Sequence, residues 1–71
     1  MALMATWEIT ITRREGSRLR FSEQRGSAPQ KGKIVEMADA GTSIKARIDT
    51  YSEERFKASG LDYFQVMATE T

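Results

Sequence analysis

Cysteine, histidine and asparagine are all absent from this chain of 71 residues. Without cysteine there is no disulfide framework and no thiolate metal site. Without histidine the Ser-His-Asp and Cys-His arrangements are excluded, together with finger-type zinc sites and any imidazole pH switch. Without asparagine there is no N-glycosylation acceptor. Long hydrophobic runs are missing too. The longest is the opening MALMA, far short of the roughly 20 residues that span a bilayer as a helix. That opening also lacks the cationic leader and apolar stretch of a secretory signal. The expectation is a cytoplasmic protein with no membrane segment.

What is present is enough for one domain over residues 1–71, with residues 1–5 expected to be flexible; a chain this short cannot enclose two cores. Eleven basic and ten acidic residues give a net charge of +1, which selects no partner. The two halves differ, however. Residues 1–33 carry seven Lys or Arg and three Glu, a net of +4, and residues 34–71 carry four against seven, a net of −3. Such asymmetry marks a binding face only if folding keeps the halves apart.

The dominant pattern is alternation with period two, the signature of strands with one buried face. In TWEITIT (6–12) Trp7, Ile9 and Ile11 share a face, and in RLRFS (18–22) Leu19 and Phe21 do. KIVEMA (33–38) turns Val35 and Met37 inward, SIKARIDTY (43–51) turns Ile44, Ala46 and Ile48, and DYFQVMAT (62–69) turns Phe64, Val66 and Ala68. Branched and aromatic side chains suit such pleated, half-buried surfaces.

Parity then fixes the hairpins, because paired residues must share a face. Odd-numbered Ile9 and Ile11 must meet odd-numbered Leu19 and Phe21. A three-residue loop, Arg14-Glu15-Gly16, does this, with Gly16 in the left-handed position such loops need. The second hairpin joins odd to even positions, so its loop holds two or four residues centred on Ala40-Gly41, which places Glu36 opposite Lys45. EQRGSAPQKG (23–32) reads as a crossing loop. SEERFKASG (52–60) reads as a short helical turn, with Ser52 as its cap, Glu53 and Glu54 at its positive end, and Gly60 as its stop. The predicted fold is all-β: a small five-stranded antiparallel barrel with one short helical turn before the last strand. That layout resembles SH3-like barrels more than OB-folds, whose helix sits between the third and fourth strands.

Catalytic chemistry finds little here. Glu53 and Glu54 are adjacent and diverge on a helix or a strand, so they cannot converge on one substrate atom. No stretch has the spacing of a calcium loop or a phosphate-binding glycine loop. No catalytic residue, metal or cofactor is expected. Two binding surfaces are. Arg18, Arg20, Arg25, Lys31 and Lys33 are candidate nucleic-acid contacts of the phosphate-tracking kind, though Trp7 and Phe21 sit on inward phases and offer no stacking platform. Equally, arginine on an outer strand keeps a sheet edge soluble. Tyr51, Phe56 and Tyr63 are candidate contacts in a protein-binding groove between the 24–32 loop and the 52–60 turn. The segment ITRREGS (11–17) resembles the LTRRxGE opening of the carbon storage regulator family, small dimeric RNA-binding β-proteins, at Thr12, Arg13, Arg14 and Gly16. The chain departs from that family in its longer loop before KGKIV and in a final strand where the family has a helix, so the function is not carried over. The expected function is that of a non-enzymatic binding module, for a protein partner or a second copy, with RNA or DNA binding as the alternative.

Overall fold

The computed structural model describes residues 5–55 and 62–71. Five strands follow in order: β1 (Ala5–Thr12), β2 (Arg18–Arg25), β3 (Ile34–Asp39), β4 (Thr42–Arg55) and β5 (Asp62–Glu70). They form one sheet in the order β2-β1-β5-β4-β3, curled strongly into a half-barrel. The five-stranded all-β expectation holds, and no helix occurs among the described residues.

Both hairpins have the registers that parity requires. Ile9 faces Phe21 and Ile11 faces Leu19. The Arg13 N–H donates to the Ser17 carbonyl at 2.7 Å, and the Gly16 N–H to the Arg13 carbonyl at 2.9 Å, enclosing Arg14-Glu15-Gly16. Gly16 has φ of 100°, where a side chain would be strained. In the second hairpin Glu36 pairs with Lys45, and Asp39 pairs with Thr42 around Ala40-Gly41. Those two residues have φ of 50° and 81°, the double left-handed signature of a type I′ turn.

The pairing of β1 with β5 is parallel, so the sheet is mixed where an antiparallel one was expected. The cause is arithmetic. The strands alternate in direction along the chain, and with an odd number the first and last run the same way. When those two meet they can only pair in parallel. β2 and β3 are left as the sheet's two edges, joined by residues 26–33.

Alternation puts Trp7, Ile9, Ile11, Val35, Met37, Ile44, Ala46, Ile48, Phe64, Val66 and Ala68 inside, all buried. Ala5 is buried with them at the start of β1, so of the segment expected to be flexible it belongs to the sheet, while Met1 to Met4 lie outside the described residues. Leu19 and Phe21, on the edge strand β2, pack against this core but are only partly buried.

Two boundaries correct the sequence reading. β2 runs on through Glu23, Gln24 and Arg25, into the stretch whose composition predicts a loop. β4 continues through Ser52 to Arg55 as strand, pairing Glu53 with Phe64 and Glu54 with Tyr63, so the helical turn does not begin at Ser52; the rest of that segment, 56–60, lies outside the described residues. Local capping signals lose here to sheet pairing, which satisfies the same backbone groups. The resemblance to SH3-like barrels depended on that turn and gains no support from the strand order. A bulge makes the continuation possible. The register slips between Ile48 and Thr50, so one extra residue reverses the phase of β4. Odd-numbered Tyr51 and Glu53 then oppose the inward-facing Val66 and Phe64.

The crossing segment is tied down along its length. The indole N–H of Trp7 donates to the Ser27 carbonyl at 3.0 Å. Pro29 is fully buried. The Gly32 N–H donates to the Ile48 carbonyl at 2.8 Å, and the Ile48 N–H to the Lys33 carbonyl at 2.9 Å. A buried tryptophan must find an acceptor for its N–H, and here that need fixes the course of the loop.

Two stability changes follow. Alanine at φ of 50° is strained where asparagine is tolerated, so Ala40→Asn should stabilise the protein by about 0.5–1 kcal/mol in urea unfolding. A lower midpoint would contradict the turn type. Trp7→Phe deletes the bond to Ser27 and leaves unfilled volume, so a loss of about 1–3 kcal/mol is expected. Hydrogen exchange should show the amides of residues 26–33 opening first; protection unchanged there would mean that Trp7 does not hold the loop.

Candidate functional site

The five predicted nucleic-acid contacts do not form one patch. On β2 the even-numbered Arg18 and Arg20 point to the outer, convex face and are exposed, whereas Arg25 points inward and is half-buried. Seven residues of strand separate Arg18 from Arg25, about 23 Å at roughly 3.3 Å each. Lys31 and Lys33 are exposed on the crossing segment beyond that far end.

Around Arg18 and Arg20 the sheet assembles a different set. Register runs Arg18 to Thr12, Thr12 to Thr69, and Thr69 to Arg47, straight across four strands. The next row is Arg20, Thr10, Met67 and Thr50. Lys45 lies two residues from Arg47 on the same face. This surface therefore has hydroxyls at its centre and cations on both flanks, about 14 Å apart at roughly 4.8 Å per strand. Glu36 opposite Lys45 and Asp49, whose Oδ2 accepts from the Thr69 hydroxyl at 2.5 Å, temper its charge. Among the described residues none of Arg18, Arg20, Lys45 and Arg47 forms an ion pair. Lys45 and Arg47 escaped the sequence reading because they belong to the acidic half. Pairing of β4 with β5, and of β5 with β1, brings them to the basic hairpin.

The other arginines of that hairpin are engaged. The Arg14 N–H donates to Glu70 at 3.1 Å and its guanidinium to the Thr71 carbonyl. Arg13 takes the inward phase at the barrel mouth, with its Nε 3.6 Å from Glu15 and 3.9 Å from Glu70. That Nε is buried without a hydrogen-bond partner among the described residues.

At the opposite end, Arg25 lies over the Trp7 ring, 4.9 Å from its centroid. Glu23 pairs with its Nε, and its Nη2 sits 3.8 Å from the Met37 sulfur. The last contact reaches from β2 to β3 across the open side of the half-barrel. Beside it is a recess of about 180 Å³, walled by the crossing segment and by β1, β3 and β4. Arg25 and Lys33 line it; Lys31 does not.

Of the predicted protein-groove residues, Tyr51 and Tyr63 fall among the described residues. Tyr51 stands edge-on to Phe64, with ring centroids 6.1 Å apart at 69°. Tyr63 is half-buried on the opposite face of β5 from Phe64. Phe56 lies outside the described residues. Neither Tyr51 nor Tyr63 lines the recess beside Arg25.

A further opening is the β2 edge itself. Because Arg13 and Ser17 form a hydrogen-bonded pair, alternation directs the odd residues of β2 toward β1 and turns the N–H and C=O groups of Arg18, Arg20, Ser22 and Gln24 outward. No described strand pairs with them. Among the described residues no three acidic side chains come together as metal ligands, and no helix is long and apolar enough to cross a membrane.

No protein-family model matches this sequence, and no curated protein or solved structure matches the chain.

Proposed function

We propose that this protein is a non-enzymatic, cytoplasmic binding module that recognises polypeptide by strand addition, foremost a second copy of itself. The observation that carries this reading is the β2 edge, where outward ladder groups lie beside the half-covered apolar side chains Leu19 and Phe21. An added strand supplies partners to the first and cover to the second. A second copy fits in one particular antiparallel register. Only a two-fold centred on Phe21 pairs all four outward residues, Arg18 with Gln24 and Arg20 with Ser22, in both directions. Phe21 then meets its own counterpart on the inner face, and no like charges stand directly opposite one another. Arg20 does lie diagonal to its counterpart, so such a dimer should tighten as salt screens that pair.

The test is sedimentation equilibrium over a concentration series, with a dimer expected at high concentration. Ser22→Pro removes only an outward N–H, a change an edge strand tolerates. It should abolish the dimer while circular dichroism and cooperative unfolding persist. A wild-type chain monomeric at every concentration, or a Ser22→Pro dimer of undiminished affinity, would sink the reading.

A second reading has its own observation. Arg18, Arg20, Lys45 and Arg47 flank a hydroxyl-rich face, which suits the backbone of single-stranded nucleic acid. Fluorescence anisotropy at about 50 mM salt should then show oligonucleotide binding that weakens steeply with added salt. Arg18→Ala with Arg20→Ala should weaken it, and Lys45→Ala with Arg47→Ala equally. Loss with the first pair alone would confine contact to the hairpin; loss with neither would exclude this face. The two readings respond to salt with opposite sign.

A further inference from the structure

We propose that the recess under the crossing segment is a site for a carboxylate carried on a small apolar body. Its volume of about 180 Å³ suits a short branched chain. Its floor is formed by the buried side chains of Trp7, Val35 and Ile48, and the exposed Ile34 adds apolar surface to its lining. Its rim carries two cations, Arg25 and Lys33, and among the described residues no acidic side chain lines it.

The guanidinium is held in place before any ligand arrives. Stacking on Trp7, the pair with Glu23 and the contact with Met37 fix Arg25 from three sides. These contacts occupy Nε and Nη2, and Nη1 has no hydrogen-bond partner among the described residues. Guanidinium donors set in a fixed plane match a carboxylate better than a flexible ammonium does. Lys33 is anchored through its own backbone, which pairs with Ile48, so its side chain reaches the rim from a fixed base. Its ammonium makes no ion pair among the described residues.

The combination selects its ligand. A neutral apolar molecule would fill the floor but strip water from two cations without replacing it. A phosphate or other fully hydrated anion would satisfy the cations but press its oxygens onto Trp7, Val35 and Ile48. A carboxylate with an apolar tail does both jobs at once. A free branched acid and the last residue of a polypeptide share that chemistry. The site uses side chains inside the half-barrel mouth and is independent of strand addition, which uses the outward backbone of β2.

Trp7 is the only tryptophan and forms the floor, so its emission reports occupancy directly. Isocaproate should give a saturable change in that emission, and isocaproamide, the same shape without the charge, should not. Lys33→Gln should weaken isocaproate binding by roughly threefold to tenfold while leaving the unfolding midpoint in place. A short peptide ending in a free leucine carboxylate, compared with its amidated form, separates the sources. Tighter binding of the peptide than of isocaproate identifies a polypeptide terminus, and weaker binding identifies a free acid. Equal responses to acid and amide, or no saturable response to either acid or peptide, would overturn the proposal.

Discussion

Five strands that alternate in direction cannot close into a ring of antiparallel pairs, and this constraint shapes everything else in the protein. The first and last strands run the same way, so their meeting is parallel, and it places β1 and β5 at the centre of the sheet. Central strands are covered by neighbours on both sides. That is why Ile9, Ile11 and Val66 are wholly excluded from solvent. The same geometry makes β2 and β3 the edges and leaves the barrel open between them. The half-covered Leu19 and Phe21, the outward ladder groups of β2 and the recess at its Arg25 end are all consequences of where the ring fails to close.

What spans that opening is modest. A cation over an aromatic ring contributes about 0.5–1 kcal/mol at an accessible site, and an exposed ion pair such as Glu23 with Arg25 contributes no more than about 1 kcal/mol. Contact of Nη2 with the Met37 sulfur adds less. The crossing segment provides more, because buried Pro29 and the bonds of Trp7, Gly32 and Ile48 close one end of the barrel with backbone. The open side is thus stapled at its Arg25 end and ungirded along Arg18 to Ser22. A partner strand laid there displaces no strong internal contact, and its ladder bonds and the cover it gives Phe21 are net gains.

The hairpins were legible in the sequence because their constraints are local. Parity at Ile9, Ile11, Leu19 and Phe21, with glycine at 16, leaves one loop length, and that is the loop observed. The inward sets of β3, β4 and β5 followed from the same alternation. The parallel pairing was not read, although the odd strand count implies it once the ends are assumed to meet. The bulge at Asp49 was not legible at all. Nothing in SIKARIDTY marks an extra residue, and without the slip Tyr51 would have faced outward. Residues 52–55 are strand and not the start of a helical turn for a related reason: Ser52, Glu53 and Glu54 are good helix starters, but β5 offers their backbones partners that a single isolated turn cannot match.

The charge asymmetry read from the two halves of the chain shows how a linear pattern can mislead while its residues matter. Folding interleaves the halves. Glu70, from the acidic half, reaches Arg13 and Arg14 of the basic one, and Glu23 occupies Arg25. Those acids draw off the cations of the inner face and the turn. Arg18, Arg20, Lys45 and Arg47 are left on the convex face, two from each half, with threonines and the exposed Met67 between them. A sheet edge meant only to stay soluble would need charge on β2 alone. Placing cations on β4 as well, across two intervening strands, gives the face a breadth that edge protection does not require, and it is this excess that makes the outer surface a binding candidate in its own right.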